Sequence, residues 1–331
     1  MQGAQRHFDR TLDVLADNLL HSRFDPKEIE KERAVIIEEL HMVQDNPGDL
    51  VGVLIDQVLW PEQPLGRDIA GSDDTVKGIQ SQDMLDYMAR QYVPANTVLA
   101  VAGNVTHEHV VRESTRLLGD WQPATFGSWF PAKNGQPSPR VALKTKKTEQ
   151  VHLCMAVPGY SAYHPDRYTL DVLNSILGEG MSSRLFLEVR EKRGLAYDVH
   201  SYVSHFQDTG AAVISAGVDP KKLAPTVQAV LEELDRLKEH IPEEEAHKSR
   251  EFIKGRLQLR TEDTRAVASW LGGQELLRDR ILTIDDVVDI IDKVNVDDMQ
   301  RVASEVFQRH RMNLAVVGPQ RSAERLEALL K

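Results

Sequence analysis

Cysteine is nearly absent from this 331-residue chain, which contains only Cys154. A single cysteine cannot form an intramolecular disulfide or a cysteine metal cluster, so we expect a reducing compartment such as the cytoplasm. Long apolar runs are also missing. Stretches such as residues 98–102 and 314–317 fall far short of the ~20 residues that span a bilayer. The N-terminal residues MQGAQRHFDR lack the apolar core of a signal peptide, and we expect no membrane insertion.

Positive charge is in the minority, with 40 Lys and Arg against 51 Asp and Glu and a net charge of -11. Such a chain repels phosphate backbones, so nucleic acid is excluded as an expected partner, whereas a basic or uncharged peptide is compatible. The hydrophobic fraction of 41% and charged fraction of 27% are those of a globular protein. The length predicts about two domains.

Several motifs of well-known enzyme classes are missing from the chain. There is no H-x-x-E-H or H-E-x-x-H, no G-x-S-x-G and no phosphate-binding G-x-x-x-x-G-K-[ST]. These absences remove the local signatures of zinc hydrolases, serine hydrolases and nucleotide-binding proteins. Cys154 lies within the apolar run 151–157, which predicts a core residue rather than a nucleophile.

The chain instead shows helical periodicity on both sides of a stretch rich in proline and glycine. That stretch covers 121–139 and has the composition of a linker. We therefore predict a first domain over 1–120 and a second over 140–331. Apolar runs predict strands at 96–103 (NTVLAVAG), 150–157, 197–205, 211–218 and 313–318.

The two predicted domains contain an internal repeat. Residues 81–103 align without a gap with 296–318 at a shift of 215, with identical residues such as Asp83/Asp298 and Met84/Met299. The same shift pairs Leu19 with Leu234, which favours duplication over chance similarity of two helix-strand units. Residues 140–219 have no counterpart in the first copy. We therefore expect an incomplete first domain whose sheet has an open edge, and self-association or partner binding through that edge.

Two pairs of side chains are candidates for a functional site. Glu32 and Glu39 are two helical turns apart and share a face, where two carboxylates can bind a cation. The alternative is a solvated helix face of paired charges. Arg190 and Tyr197 flank a helix-to-strand turn at Gly194. A cation and a phenol can bind a carbonyl or an oxyanion, whereas the alternative is a packed tyrosine with surface cations.

Four segments carry a resemblance to a known family: FDPKEIEKERAVIIEEL, WPEQPLGRDIAG, YVPANTVLAVAGNV and GEGMSSRLFLEVREKRGLAYDVHSY. They resemble the pitrilysin/insulinase family of inverted-motif zinc peptidases, most of all its bacterial branch related to the mitochondrial processing peptidase. The resemblance implies an α+β fold of two homologous domains, each an antiparallel-rich sheet with helices packed on one face. It further implies a clam-shell around a peptide or protein substrate, a zinc cofactor, and pairing as a homodimer or as a heterodimer with a related subunit.

The resemblance also implies roles for the four candidate side chains. Glu39 matches the third zinc ligand and Glu32 a carboxylate that supports it, while Arg190 and Tyr197 match a pair that contacts substrate near the metal. Both histidine ligands and the general base belong to the missing H-x-x-E-H. A catalytic zinc normally needs three protein ligands. We therefore expect an N-terminally truncated zinc metalloendopeptidase that is inactive alone.

Two alternatives to the truncated peptidase remain open. In the first alternative, the chain is a non-catalytic subunit that binds peptide through Arg190 and Tyr197 and completes the active site of a partner chain. In the second, it is a structural subunit like the core subunits of respiratory complexes, which share the fold without proteolysis.

Overall fold

The computed structural model describes residues 1–330. Its helices are α1 (Phe8–Leu20), α2 (Pro26–Asp45), α3 (Pro47–Leu59), α4 (Asp73–Gly78), α5 (Ser81–Gln91), α6 (His107–Leu118), α7 (Arg167–Gly178), α8 (Leu223–Glu239), α9 (Glu243–Arg260), α10 (Thr264–Leu277), α11 (Ile284–Asp292), α12 (Val296–Val306) and α13 (Ala323–Leu330). A π-helix covers Phe186–Lys192. The strands are β1 (Arg140–Thr145), β2 (Val151–Gly159), β3 (Ala196–His205), β4 (Gly210–Val218) and β5 (Asn313–Gly318). No helix among the described residues is both long and apolar enough to cross a membrane.

Short polar side chains and prolines set where the helices begin. Asp25 Oδ1 accepts a hydrogen bond from Lys27 N–H at 2.8 Å ahead of α2, whose first residue is a proline. Asn46 Oδ1 accepts from Gly48 N–H at 3.0 Å at the start of α3. Asn295 does the same for α12, which explains the break between α11 and α12.

The strands form one sheet in the order β1-β5-β2-β4-β3, antiparallel except for the parallel pair β1 and β5. The antiparallel sheet predicted for the second copy is confirmed, although β1 was not predicted. The ladder places His200, Ser215, Cys154 and Ala315 in one row across the sheet. Residues in one such row point to the same face.

Helices cover both faces of this sheet. Helix α3 packs on the face that includes Cys154, and Ile55 of α3 and Trp60, the residue after it, join Val213 and Val317 in a common core. On the other face Leu153 and Met155 are fully buried, and α7 and α12 contact the sheet. The apolar pattern therefore predicted β2, β3, β4 and β5, but not that α3, which precedes the linker, covers this sheet.

The predicted strand NTVLAVAG does not form a strand. Residues 96–103 enter no ladder with any part of the chain that the structure describes, and Leu99 is 39% exposed. In the second copy its counterpart β5 is completely buried between β1 and β2. A strand exists only where a neighbour accepts its hydrogen bonds, and 96–103 has no such neighbour within 1–330.

Contacts between residues group the chain into two compact units. Unit 1 contains 1–38, 72–129 and 256–284, and unit 2 contains 39–71, 130–255 and 285–331. Each unit thus includes a segment from the other side of the predicted linker: unit 1 contains α10, and unit 2 contains α3. The boundaries 1–120, 121–139 and 140–331 stay a prediction about the two copies of the repeat.

Candidate functional site

Two irregularities of the backbone position Arg190 and Tyr197 in unit 2. Arg190 lies in the π-helix, whose end is turned by Gly194 at a φ of +56°. Tyr197 is the extra residue of a β-bulge, because Ala196 pairs with Val218 while Asp198 pairs with the adjacent Gly217. π-helices and bulges occur often at functional sites, where they redirect single side chains.

Together these irregularities bring the Arg190 guanidinium close to two aromatic rings. Its Cζ atom lies 4.8 Å from the ring centroid of Phe186 and 5.6 Å from that of Tyr197. Both distances are within the range of a cation–π interaction. Tyr197 itself is 76% exposed, so its ring is not a core residue. The alternative of a packed tyrosine is therefore wrong.

Arg190 differs from the other cations of this segment in how it is neutralised. The Arg184 guanidinium lies 2.6 Å from Glu245, Lys192 pairs with Glu188, and Arg193 lies 2.8 Å from Glu232. Within residues 1–330, Arg190 makes one ion pair, with the exposed Glu191 at 3.7 Å. Its hydrogen-bond donors therefore remain open to a ligand.

Glu32 and Glu39 both lie on α2 and are both exposed. Neighbouring acids on the same helix are paired, since Lys31 lies 2.6 Å from Glu28 and Arg33 lies 3.0 Å from Glu30. Neither Glu32 nor Glu39 makes an ion pair or side-chain hydrogen bond with any described residue. A solvated face accounts for the paired neighbours, and a cation site at Glu32 and Glu39 stays a prediction.

The residues present do not fit a zinc ion. No group of three or more histidine, cysteine, aspartate or glutamate side chains with metal-binding geometry occurs in 1–330. Glu39 offers one carboxylate, whereas a protein zinc site takes three or four ligands. No chemical step through zinc is therefore derived for this chain.

A polar row on β3 was missed from the sequence. Asp198, His200 and Tyr202 alternate along the strand and lie on the face covered by α3, with His200 Nδ1 3.1 Å from Asp198 Oδ2. Burial raises the pKa of Tyr202 to about 12. Partial burial raises the pKa of Asp56, on α3, to about 6. The alternation of polar with apolar residues in DVHSYV was the signal that could have identified this row.

Cys154 is a core residue, as the sequence predicted. It is 2% exposed, and burial raises the pKa of its thiol to about 11. A thiol with this pKa stays protonated at neutral pH and is a poor nucleophile.

Comparisons with known proteins identify the family. Residues 78–252 match the family described as "Peptidase M16 inactive domain", and residues 2–73 match "Insulinase (Peptidase family M16)". An uncharacterized zinc protease of Streptomyces coelicolor is 36% identical over 93% of this chain and 68% of its own length. The chain belongs to the M16 insulinase family. A second M16 relative, the uncharacterized zinc protease YmxG of Bacillus subtilis, is 33% identical over 95% of this chain and 76% of its own length.

Solved structures agree with this M16 fold. A protease from Helicobacter pylori superposes with a TM-score of 0.90 at 20% identity, covering 95% of this chain and 78% of that one. A chain of Complex III2 from Candida albicans superposes with a TM-score of 0.80 at 19% identity, covering 97% and 79%. At these identities the likeness concerns the fold alone. It confirms the predicted α+β class.

Proposed function

We propose that this M16 chain binds extended peptides through Arg190 and Tyr197 and does not hydrolyse them alone. The observation that carries the proposal is the geometry of the pair: the Arg190 guanidinium lies near two rings, and one of them is the largely exposed phenol of Tyr197. A guanidinium presents several donors in a rigid fork, and a tyrosine hydroxyl can donate or accept. Both groups suit the carbonyls of a peptide backbone.

We propose zinc-dependent endopeptidase activity only for an assembly of this chain with a related subunit. Relatives of the chain are named zinc proteases, but this sequence has no H-x-x-E-H. Glu39 is the residue that we assign to such a metal site, with Glu32 in support. The missing ligands and general base would come from a related subunit in a heterodimer, because a homodimer of this chain has no H-x-x-E-H to supply.

A structural role without peptide binding is the second candidate. It is favoured by the fold similarity to a chain of Complex III2. A structural subunit has no need of an exposed cation–π pair, so peptide binding distinguishes the two candidates.

We test the proposal with a fluorescein-labelled, unstructured peptide of no net charge as the probe. Anisotropy in the presence of EDTA is expected to report binding by the wild-type chain. Arg190→Gln is expected to weaken binding about tenfold or more, because a hydrogen bond to a charged group contributes roughly 1.5–3 kcal/mol. Lys192→Gln is the matched control. Lys192 lies in the same π-helix but pairs with Glu188, so its loss should leave binding unchanged.

Hydrolysis is measured on the same probe after zinc is added. We expect none from the chain alone. Cleavage by the chain alone would overturn the proposal, and absence of binding to the uncharged peptide would favour the structural role.

A further inference from the structure

The end of the linker is fastened to the rest of unit 2 at two places. The Lys133 N–H donates to Gln63 Oε1 at 2.6 Å, and the Gln63 amide donates back to the Lys133 carbonyl at 3.3 Å. A little farther along, the Gln136 and Asn313 amides exchange two hydrogen bonds of 3.0 Å, and Asn313 is completely buried. The main chain between these two anchors is therefore held on both sides.

Asn134 and Gly135 lie between the anchors and form the sole Asn-Gly pair of the sequence. Both residues are exposed and lie outside any helix or strand. In such a pair the main-chain nitrogen of the glycine can attack the amide carbon of the asparagine, because glycine has no Cβ to hinder the approach. The surroundings leave room for this reaction, since even a Cβ added at Gly135 would meet no atom within 4 Å.

The hydrogen bonds around the pair leave the reacting groups accessible. Neither the Gly135 N–H nor the Asn134 Nδ2 amide donates a hydrogen bond to any residue within 1–330. Asn134 Oδ1, in contrast, accepts a hydrogen bond of 2.9 Å from the hydroxyl of Thr209, which is 2% exposed. A donor fixed at a carbonyl oxygen stabilises the negative charge that develops there when the carbon is attacked. The nucleophile and the leaving group are thus free, and the amide carbonyl between them is polarised.

We propose that Asn134 is a site of spontaneous deamidation. The Gly135 nitrogen gives up its proton and forms a bond to Asn134 Cγ, the Cγ–Nδ2 bond breaks, and ammonia leaves with that proton. One water molecule then opens the resulting succinimide at either of its two carbonyls. The products are aspartate and isoaspartate, so an amide and water become a carboxylic acid and ammonia, with water as the one co-reactant. The proposal is independent of Arg190 and Tyr197.

A second asparagine shows how the fold suppresses the same reaction elsewhere. Asn174 precedes Ser175 within helix α7 and is 4% exposed. Its Oδ1 accepts from the Ser201 hydroxyl at 2.7 Å, and its Nδ2 donates to Glu179 at 3.1 Å. Because its leaving group is bound and a helical backbone fixes the following nitrogen, Asn174 should stay intact and serves as an internal control.

Isoaspartate at position 134 would change how the linker is fastened. Its main chain runs through Cβ and Cγ, so the path between the anchors at Lys133 and Gln136 becomes one methylene longer. The carbonyl that now accepts from Thr209 becomes part of that main chain, and the new carboxylate lies elsewhere. A buried hydroxyl that loses its acceptor destabilises the structure around it. Deamidation therefore loosens the end of the linker with time.

Ageing the full chain in mildly alkaline buffer tests the proposal, because the attacking nitrogen must lose its proton. Mass spectrometry of peptic fragments measures conversion at residue 134, and water enriched in heavy oxygen marks the molecules that react during the experiment. Transfer of a labelled methyl group from S-adenosylmethionine by protein isoaspartyl methyltransferase measures isoaspartate. We expect both signals from Asn134 and neither from Asn174.

Gly135→Ala is the matched variant. Gly135 has no positive φ and its surroundings are open, so the substitution should leave the fold unchanged, which circular dichroism and urea unfolding verify. We expect conversion of Asn134 to slow about tenfold or more, because the added methyl group hinders the approach and a misplacement of about 1 Å between reacting atoms costs on the order of 100-fold in rate.

Hydrogen exchange measures the effect on the linker. After ion exchange separates the isoaspartate form from fresh protein, we expect the amide of Lys133 to exchange about tenfold faster or more in the isoaspartate form, since local structure there is destabilised. Asn134→Asp is the control. It adds the charge without lengthening the main chain, and its carboxylate can still accept from Thr209, so the Lys133 amide should stay protected.

Four outcomes would contradict the proposal. In the first, a free peptide of residues 129–139 converts while the folded chain does not, which would mean that the fold blocks the reaction. In the second, Gly135→Ala converts as fast as wild type. In the third, Asn174 converts in parallel with Asn134, which would place the reaction in unfolded molecules. In the fourth, the Lys133 amide exchanges equally in the isoaspartate form and in fresh protein, which would remove the effect on the linker.

Discussion

Arg190 is a long, flexible side chain that a neighbouring ring holds in place. Its guanidinium lies against the Phe186 ring, a contact that restricts an otherwise flexible side chain. A restricted side chain loses less conformational entropy when it binds. In the function proposed above, Phe186 is therefore a positioning residue, because its ring restricts the Arg190 guanidinium.

At the scale of single residues, Asp56 makes stability depend on pH. Its pKa in the folded protein is about 6, above the ordinary 3.8, so folding favours the protonated form. The stabilising contribution is complete below about pH 3.8 and is lost as the pH rises through 6. Asp56→Asn should therefore raise the free energy of unfolding at pH 7.5 but hardly at pH 4. The expected gain is about 1 kcal/mol, because partial exposure screens a shift that would otherwise correspond to roughly 3 kcal/mol.

Urea unfolding of wild type and Asp56→Asn at pH 4, 5, 6 and 7.5 measures this difference. Asp45→Asn is the control, since Asp45 is 87% exposed in a surface ion pair with Lys146. A difference between wild type and Asp56→Asn that does not change with pH would contradict the assignment of the effect to Asp56.

At the scale of elements, nearly the same residues adopt two structures. NTVLAVAG at 96–103 and NLAVVG at 313–318 are identical at four aligned positions, yet only the second is a strand. We expect amide hydrogens of 99–102 to exchange with deuterium at least 100-fold faster than those of 314–317, which pair on both sides. Mass spectrometry after pepsin digestion compares the two peptides within one sample. Equal protection would mean that 99–102 pairs with another chain.

The same pair shows what a sequence can predict. The pattern of apolar residues predicted a strand for both segments, because such a pattern indicates which side chains favour burial. It does not report whether a partner strand is present. The irregular backbone at Arg190 and Tyr197 could not be predicted from the sequence either. A helix-to-strand turn at Gly194 and a strand from 197 were predicted, but one extra residue per turn or per ladder leaves no compositional signal. The pairing of the two side chains was suggested only by their chemistry and by the family resemblance.

At the scale of the whole molecule, each compact unit contains segments from both sides of the linker. This arrangement determines what happens when the chain is cut. A protease site inserted between Thr125 and Phe126, in the exposed linker, would divide the chain into 1–125 and 126–331. Each compact unit contains residues from both fragments. We therefore expect the fragments to co-elute in size-exclusion chromatography after cleavage and to separate only in denaturant. Separation in native buffer would instead support independent domains at 1–120 and 140–331.

The distribution of each unit over distant segments of the chain also has a consequence for synthesis on the ribosome. Residues 72–129 of unit 1 leave the ribosome roughly 150 residues before α10, which lies against 98–101. At roughly 5–20 residues per second, this interval lasts on the order of 8–30 s. Throughout it the nascent chain exposes apolar residues 98–102 without their covering helix. We therefore expect slower translation between codons 130 and 284 to lengthen this exposure and to lower the yield of folded protein.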